Sequence, residues 1–336
     1  MKLDTPEAIE EVATSYLVGC VLHAAADLGL FDVLAKRSAT AQELARELDA
    51  SLDGVERLVR ACDLLGLVER RGDQIVGGPT ILALAGDLGA VLRHHGRQVL
   101  PPMSRLARAV REGRPQHVAW PFASEAPRRE PYAELALHPA EVETFLTAMD
   151  HASRGVGSGI ASACDLSSAR LLCDFGCGGG VVARELLFAL PLLRVDSYDF
   201  AAACDVAEER SRMASLSDRH RFIRHDIRED AGARGADAVL LSAVLADLSL
   251  SDRHRVVAHA RSALGSGGML LVSETLLDDD RRGPLGPALV SLVLFAALGG
   301  EQLSPRELEE LLVLHGFERP TRLRAGSRDL LVARAI

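Results

Sequence analysis

Aromatic residues are scarce in this 336-residue chain, at 4%, with one tryptophan. Lysine is scarcer still, confined to Lys2 and Lys36. Because arginine fills the other basic positions, we read this as the codon bias of a GC-rich genome rather than as arginine chemistry. Positive charge is also lacking: the formal net charge is -9. An acidic chain repels phosphate backbones and anionic lipid, which argues against nucleic-acid and membrane-surface partners. No apolar stretch reaches the roughly 18–20 residues of a membrane span, and the longest, near 287–298, is too short. The opening MKLDTPEAIEE is acidic and has no apolar run, so no secretory leader is expected. The six cysteines then read as free thiols in a reducing, cytoplasmic setting. Cys173 and Cys177 stand without a second Cys or His pair at zinc spacing, so they read as small apolar residues and no metal is expected.

What the chain does contain is an ordered change of pattern. Residues 8–35 carry apolar positions at helical period. Thr40 with Glu43 forms a capping box, and Ser51 opens a helix that stops near Gly66. Two short strands, 67–69 and 74–76, flank Arg71-Gly72-Asp73. Three helices and a hairpin make a winged helix-turn-helix pattern, but its second helix sets Asp53, Glu56 and Asp63 against Arg57 and Arg60. That face is not basic, and a dimerisation module is the better reading. Residues 80–150 read as helical, interrupted near 113–131 by a proline-rich loop around Trp120 that suits a lid or a surface insertion. The expected divisions are a winged-helix-like dimerisation domain over 1–100, a helical linker and lid over 101–163, and a Rossmann-like domain over 164–336.

From residue 168 strands and helices alternate, predicting a doubly wound, mostly parallel α/β sheet. Its first strand runs into Asp174-Phe175-Gly176-Cys177-Gly178-Gly179-Gly180, ahead of a helix. Glycines at 176, 178 and 180 permit tight turning and close approach to a ligand. Asp174 would repel a pyrophosphate but accept from an ammonium group. Asp199 ends the next strand, where it suits ribose hydroxyls. Asp226 follows the third strand, suited to an adenine amino group, with Ile227 to pack on the ring. Turns or caps explain any one of these acids, but explain all three poorly.

With these motifs the chain resembles the class I S-adenosylmethionine-dependent methyltransferases. More narrowly, it is similar to small-molecule O-methyltransferases with an N-terminal winged-helix dimerisation domain. The resemblance spans nearly the whole chain and implies S-adenosylmethionine as cofactor, a small-molecule substrate and a homodimer built through the N-terminal helices. It adds Phe200, Ser242, Met149 and Ser153 to the cofactor set. It also exposes a gap. The family's base is a histidine in a His-Asp-Trp segment, which here reads Ala246-Asp247-Leu248. Of the two acids that support that histidine, Glu274 is present and the other position holds Gln302. Alanine takes no proton, so histidine-assisted deprotonation is not expected. The catalytic candidates are Glu274, Asp247 and His151, the last preferred over His225, His254 and His259. The low aromatic content points to a small or aliphatic acceptor. Three functions follow from these features. The first is methyl transfer to a small molecule, in specialised metabolism, without a histidine base. The second is a cyclase that closes an azetidine ring and releases methylthioadenosine, or cyclises a bound substrate. The third is a cofactor-sensing regulator that binds DNA.

Overall fold

In the computed structural model, residues 3–124, 129–230 and 232–336 are described. Residues 125–128 of the expected lid loop lie outside them. The chain divides into two compact units, Met1–Leu100 and Pro101–Ile336.

The first unit is built as the capping signals require. Thr5 caps the helix Pro6–Asp27, and Gly29, at φ 80°, turns the chain into Leu30–Leu34. The Thr40–Glu43 capping box starts Ala41–Glu47, and the Ser51 hydroxyl accepts from the Gly54 N–H to start Leu52–Leu64. Strands β1 (Ala39–Thr40), β2 (Val68–Arg71) and β3 (Gln74–Gly77) form an antiparallel sheet in the order β1-β3-β2. Phe31, Leu44, Val59 and Ile75 are fully buried between helices and sheet. Arg57 pairs with Asp53, Arg70 with Glu56 and Arg71 with Glu69, so these guanidinium groups are neutralised within the protein.

The second unit centres on a seven-stranded sheet. Its strands are β4 (Leu171–Phe175), β5 (Arg194–Asp199), β6 (His220–Arg224), β7 (Ala236–Ser242), β8 (Leu264–Glu274), β9 (Thr321–Ala325) and β10 (Arg328–Arg334), in the order β6-β5-β4-β7-β8-β10-β9. The first five pair in parallel, and β10 is antiparallel to both neighbours. This is the expected Rossmann-like sheet, extended by a β9–β10 hairpin. Alternate residues serve opposite faces, because strand side chains alternate. Leu172, Leu240, Leu271 and Leu330 join one core with Leu186 and Leu187. Cys173, Val239, Leu241 and Val272 join the other with Val256 and Leu308. A buried sheet with helices on both faces needs such continuous apolar strands. The order reverses between β4 and β7, and the crevice over the strands' carboxyl ends at such a point is where ligands bind in doubly wound sheets. Among the described residues, no helix is long and apolar enough to cross a membrane.

The sheet core sets a stability test. Leu186 is fully buried against these strands, so Leu186→Ala should cost about 2–5 kcal/mol in urea denaturation. Leu192 is 66% exposed, and Leu192→Ala should stay within about 0.5 kcal/mol.

Candidate functional site

A cavity of about 340 Å³ opens over the carboxyl ends of β4, β5 and β7, within the second unit. Asp174, Gly176, Gly178, Asp199, Phe200, Asp226, Ile227, Ser242, Met149, Ser153 and Asp247 all line it.

The glycine loop forms one wall. Gly176 and Gly178 have φ of 80° and 54°, left-handed values that suit glycine. A Cβ on Gly176 would fall 2.6 Å from Val244 Cγ2, so no larger residue fits. Gly180, at φ 79°, caps the following helix, Val181–Ala189, and does not itself border the cavity. The N–H groups of Gly176 and Cys177 donate to the Tyr198 carbonyl of β5, and one carboxylate adds to that tie. Asp199 Oδ2 accepts the Gly178 N–H at 2.8 Å, and Oδ1 accepts the Phe200 N–H at 2.8 Å.

The acids differ in their surroundings. Asp174 is 2% exposed, and its nearest donor is the Ser197 hydroxyl at 3.4 Å. Burial, reinforced by Asp199, pushes its pKa up to about 7. Burial also lifts Asp199 to about 6. Asp226 is instead held below the usual carboxylate range by Arg228, which donates to both its oxygens and also pairs with Glu130.

The segment after β7 is suspended from two buried side chains, one acidic and one basic. Ala243 turns the chain at φ 54°, an uncommon value for a residue with a Cβ. Glu274 Oε1, at the end of β8, accepts the N–H groups of both Val244 and Leu245 at 3.0 Å. Arg253 donates to the Leu245 carbonyl at 2.7 Å and to the Glu301 carbonyl at 2.9 Å. Gly300 lets the chain pass close by, since a Cβ there would lie 2.3 Å from the Ala246 carbonyl. The result presents Asp247 to the cavity, where it accepts from the Tyr132 hydroxyl. Burial raises Asp247 to about 6 and Glu274 to about 7.

Two catalytic candidates lie elsewhere. Glu274 is 2% exposed and does not line the cavity; it holds the loop. His151 is solvent-exposed. The helix Pro139–Ser153 turns Leu146, Met149, Asp150 and Ser153 inward, the i, i+3, i+4, i+7 face, and His151 falls on the opposite side. Of the other histidines, His225 borders the cavity. His254 and His259 are half-buried, bonded to His315 and to the Ile227 carbonyl. Ala246 is buried and Gln302, 5% exposed, does not border the cavity.

One expectation fails, and two features were not foreseen. Tyr132, Phe145 and Phe200 all line the cavity, so the chain's scarcity of rings does not extend to its site, and the aliphatic acceptor expectation loses its basis. Asp150, which receives Arg184 and Arg210, packs where a Cβ on Gly179 would collide with it. Arg328 reaches the cavity from the start of β10, a strand not picked out from the sequence.

Comparison with known proteins agrees with this architecture. An O-methyltransferase domain model matches residues 103–318, and an O-methyltransferase dimerisation domain model matches residues 10–79. The chain is 31% identical to acetylserotonin O-methyltransferase of Bos taurus, over 97% of this chain and 96% of that one. It is 30% identical to 3-hydroxy-5-methyl-1-naphthoate 3-O-methyltransferase of Streptomyces sahachiroi, over 91% and 88%. The solved structure of human N-acetylserotonin methyltransferase in complex with S-adenosylmethionine superposes with a TM-score of 0.84, at 27% identity, covering 100% of this chain and 99% of that one. The chain belongs to the O-methyltransferase family, S-adenosylmethionine-dependent transferases that carry an N-terminal dimerisation domain.

Proposed function

We propose that the chain methylates a hydroxyl of a small aromatic molecule without a histidine base, using Asp247 as the proton acceptor. The observation that carries this reading is the position of Asp247: of the two mapped acids, it alone borders the cavity, while Glu274 is committed to two backbone N–H groups. Three rings at the site suit a flat acceptor. The relatives' names agree, since they describe O-methylation of acetylserotonin and of a naphthoate.

The residues fit the cofactor. Asp174 is a buried acid with no cation beside it among the described residues, which an ammonium group would complete. Each Asp199 oxygen spends one lone pair on the backbone and keeps another for a ribose hydroxyl. Asp226 and Ile227 stand ready for the adenine ring. When bound, S-adenosylmethionine supplies an activated methyl group for in-line displacement. The protein then has to orient the acceptor and remove its proton. Asp247 does the latter when ionised, and Tyr132, whose hydroxyl it accepts, fixes its orientation.

The dimerisation domain supports a homodimer. The helix Pro6–Asp27 exposes Ile9, Tyr16, Leu17 and Val18, and the helix Leu285–Ala297 exposes Leu289, Val290 and Leu292, apolar surface that a second copy would cover. The internal pairing of Arg57, Arg70 and Arg71 argues against a DNA-binding regulator.

Two outcomes test this reading. Incubation with S-adenosylmethionine and a panel of hydroxyaromatics should yield S-adenosylhomocysteine only when an acceptor is present. Asp247→Asn should lower kcat about 10²–10⁴-fold, and wild-type kcat/KM should rise with pH through about 6 as Asp247 ionises. Methylthioadenosine from the cofactor alone would replace methyl transfer with cyclisation. The second outcome concerns Asp174. Its folded pKa lies above that of the unfolded chain, so its neutral form favours folding at low pH and that stability is lost as pH rises through about 7. Asp174→Asn should therefore raise the melting temperature of the unliganded protein at pH 8 but hardly at pH 4, while weakening cofactor binding. An equal change at both pH values contradicts this.

A further inference from the structure

Two arginines are buried among the described residues, Arg253 and Arg328. They differ in what they touch. Arg253 spends its N–H groups on backbone carbonyls and on Glu301, and it stays out of the cavity. Arg328, 8% exposed, borders the cavity. Its Nη2 donates to Ser153 Oγ at 2.7 Å and its Nη1 to Ser242 Oγ at 3.1 Å. These are neutral hydroxyls, and among the described residues no carboxylate forms an ion pair with it. Asp247 and Glu274 act on it only through space. A guanidinium has five N–H donors, and two are used here. A buried cation compensated this weakly is costly, and the usual remedy is an anion in direct contact.

Its place in the sheet says which part of a ligand it meets. Arg328 opens β10 and reaches across β8 to Ser242 on β7. Asp199 and Asp226, the acids suited to ribose and adenine, lie at β5 and beyond β6, on the far side of β4. The end of the cavity away from those two acids therefore carries Arg328, a buried cation with no ion-pair partner among the described residues.

We propose that Arg328, aimed by Ser153 and Ser242, is a recognition residue for a ligand carboxylate at the β7 side of the cavity. The inference rests on the cofactor-binding reading above. A carboxylate there has two sources, the amino-acid end of the cofactor and an acid group on the acceptor, and the planar fork of arginine matches either in two parallel hydrogen bonds.

Calorimetry on the full chain separates the sources. The probes are S-adenosylhomocysteine, 5′-methylthioadenosine, which lacks the amino-acid carboxylate, and, on protein saturated with S-adenosylhomocysteine, 3-hydroxy-2-naphthoate against 2-naphthol. If the cofactor supplies the carboxylate, Arg328→Gln weakens S-adenosylhomocysteine about 10–100-fold and leaves methylthioadenosine unchanged. If the acceptor supplies it, S-adenosylhomocysteine is unchanged and the naphthoate loses that factor relative to the naphthol. In either case Arg328→Lys, which keeps the charge, recovers part of the loss. Equal weakening of methylthioadenosine and S-adenosylhomocysteine would mean a collapsed pocket and would overturn the proposal, as would unchanged affinity for every carboxylate probe. Wild-type protein that binds neither nucleoside would remove the cofactor reading itself, an outcome distinct from an unaffected Arg328 variant.

Discussion

One carboxylate, Asp199, holds the cofactor wall together. Its two oxygens take the N–H groups of Gly178 and Phe200 at 2.8 Å each, joining the turn after β4 to the end of β5. The N–H groups of Gly176 and Cys177 donate to the Tyr198 carbonyl of β5, but that of Gly178 has no strand partner, and a charged acceptor satisfies it more strongly than a neutral one. The same acid is partly buried and its pKa is raised to about 6, so its ionised form depends on those donors. Loop geometry and charge state therefore support each other, and a ligand hydroxyl arriving at Asp199 meets an acceptor already fixed in place.

The second wall repeats the device with opposite partners. Glu274 takes the N–H groups of Val244 and Leu245, and Arg253 takes the carbonyls of Leu245 and Glu301. The segment that carries Asp247 is thus stretched between a buried carboxyl group and a buried guanidinium, both anchored in the sheet unit. A family that works through a histidine here would need this suspension to aim an imidazole. In this chain Ala246 stands at that point, and in the function proposed above the same suspension aims Asp247. Asp174, Asp199 and Asp247 at the cavity, and Glu274 behind its wall, sit between about 6 and 7 because burial disfavours their charge, whereas Asp226, paired with Arg228, is held low. Such clustering is characteristic of functional sites.

The glycine turn and the acids near the ends of β4, β5 and β6 were legible in the sequence because each occupies a fixed place relative to an apolar strand. The hairpin of β9 and β10 was not. Thr321, Arg322 and Arg324 point outward from an edge strand and break the apolar pattern, so the strand signal is weak. Arg328 was hidden with it, since nothing local reveals that a residue 86 positions from Ser242 will touch it. His151 failed for a different reason: chemistry suggested it, but the helical period that places Met149, Asp150 and Ser153 inward turns it to solvent. Ring content misled in the same way, because three of the chain's few aromatic side chains converge on one cavity.

The central claim is that the cavity binds an adenosyl sulfonium cofactor through the Asp199 carboxylate. Titration calorimetry of S-adenosylhomocysteine into wild-type protein and Asp199→Ala, with circular dichroism to verify the fold, tests it most directly. The account predicts clear binding by the wild type and none detectable in the variant. Undiminished affinity in a folded Asp199→Ala protein would contradict it.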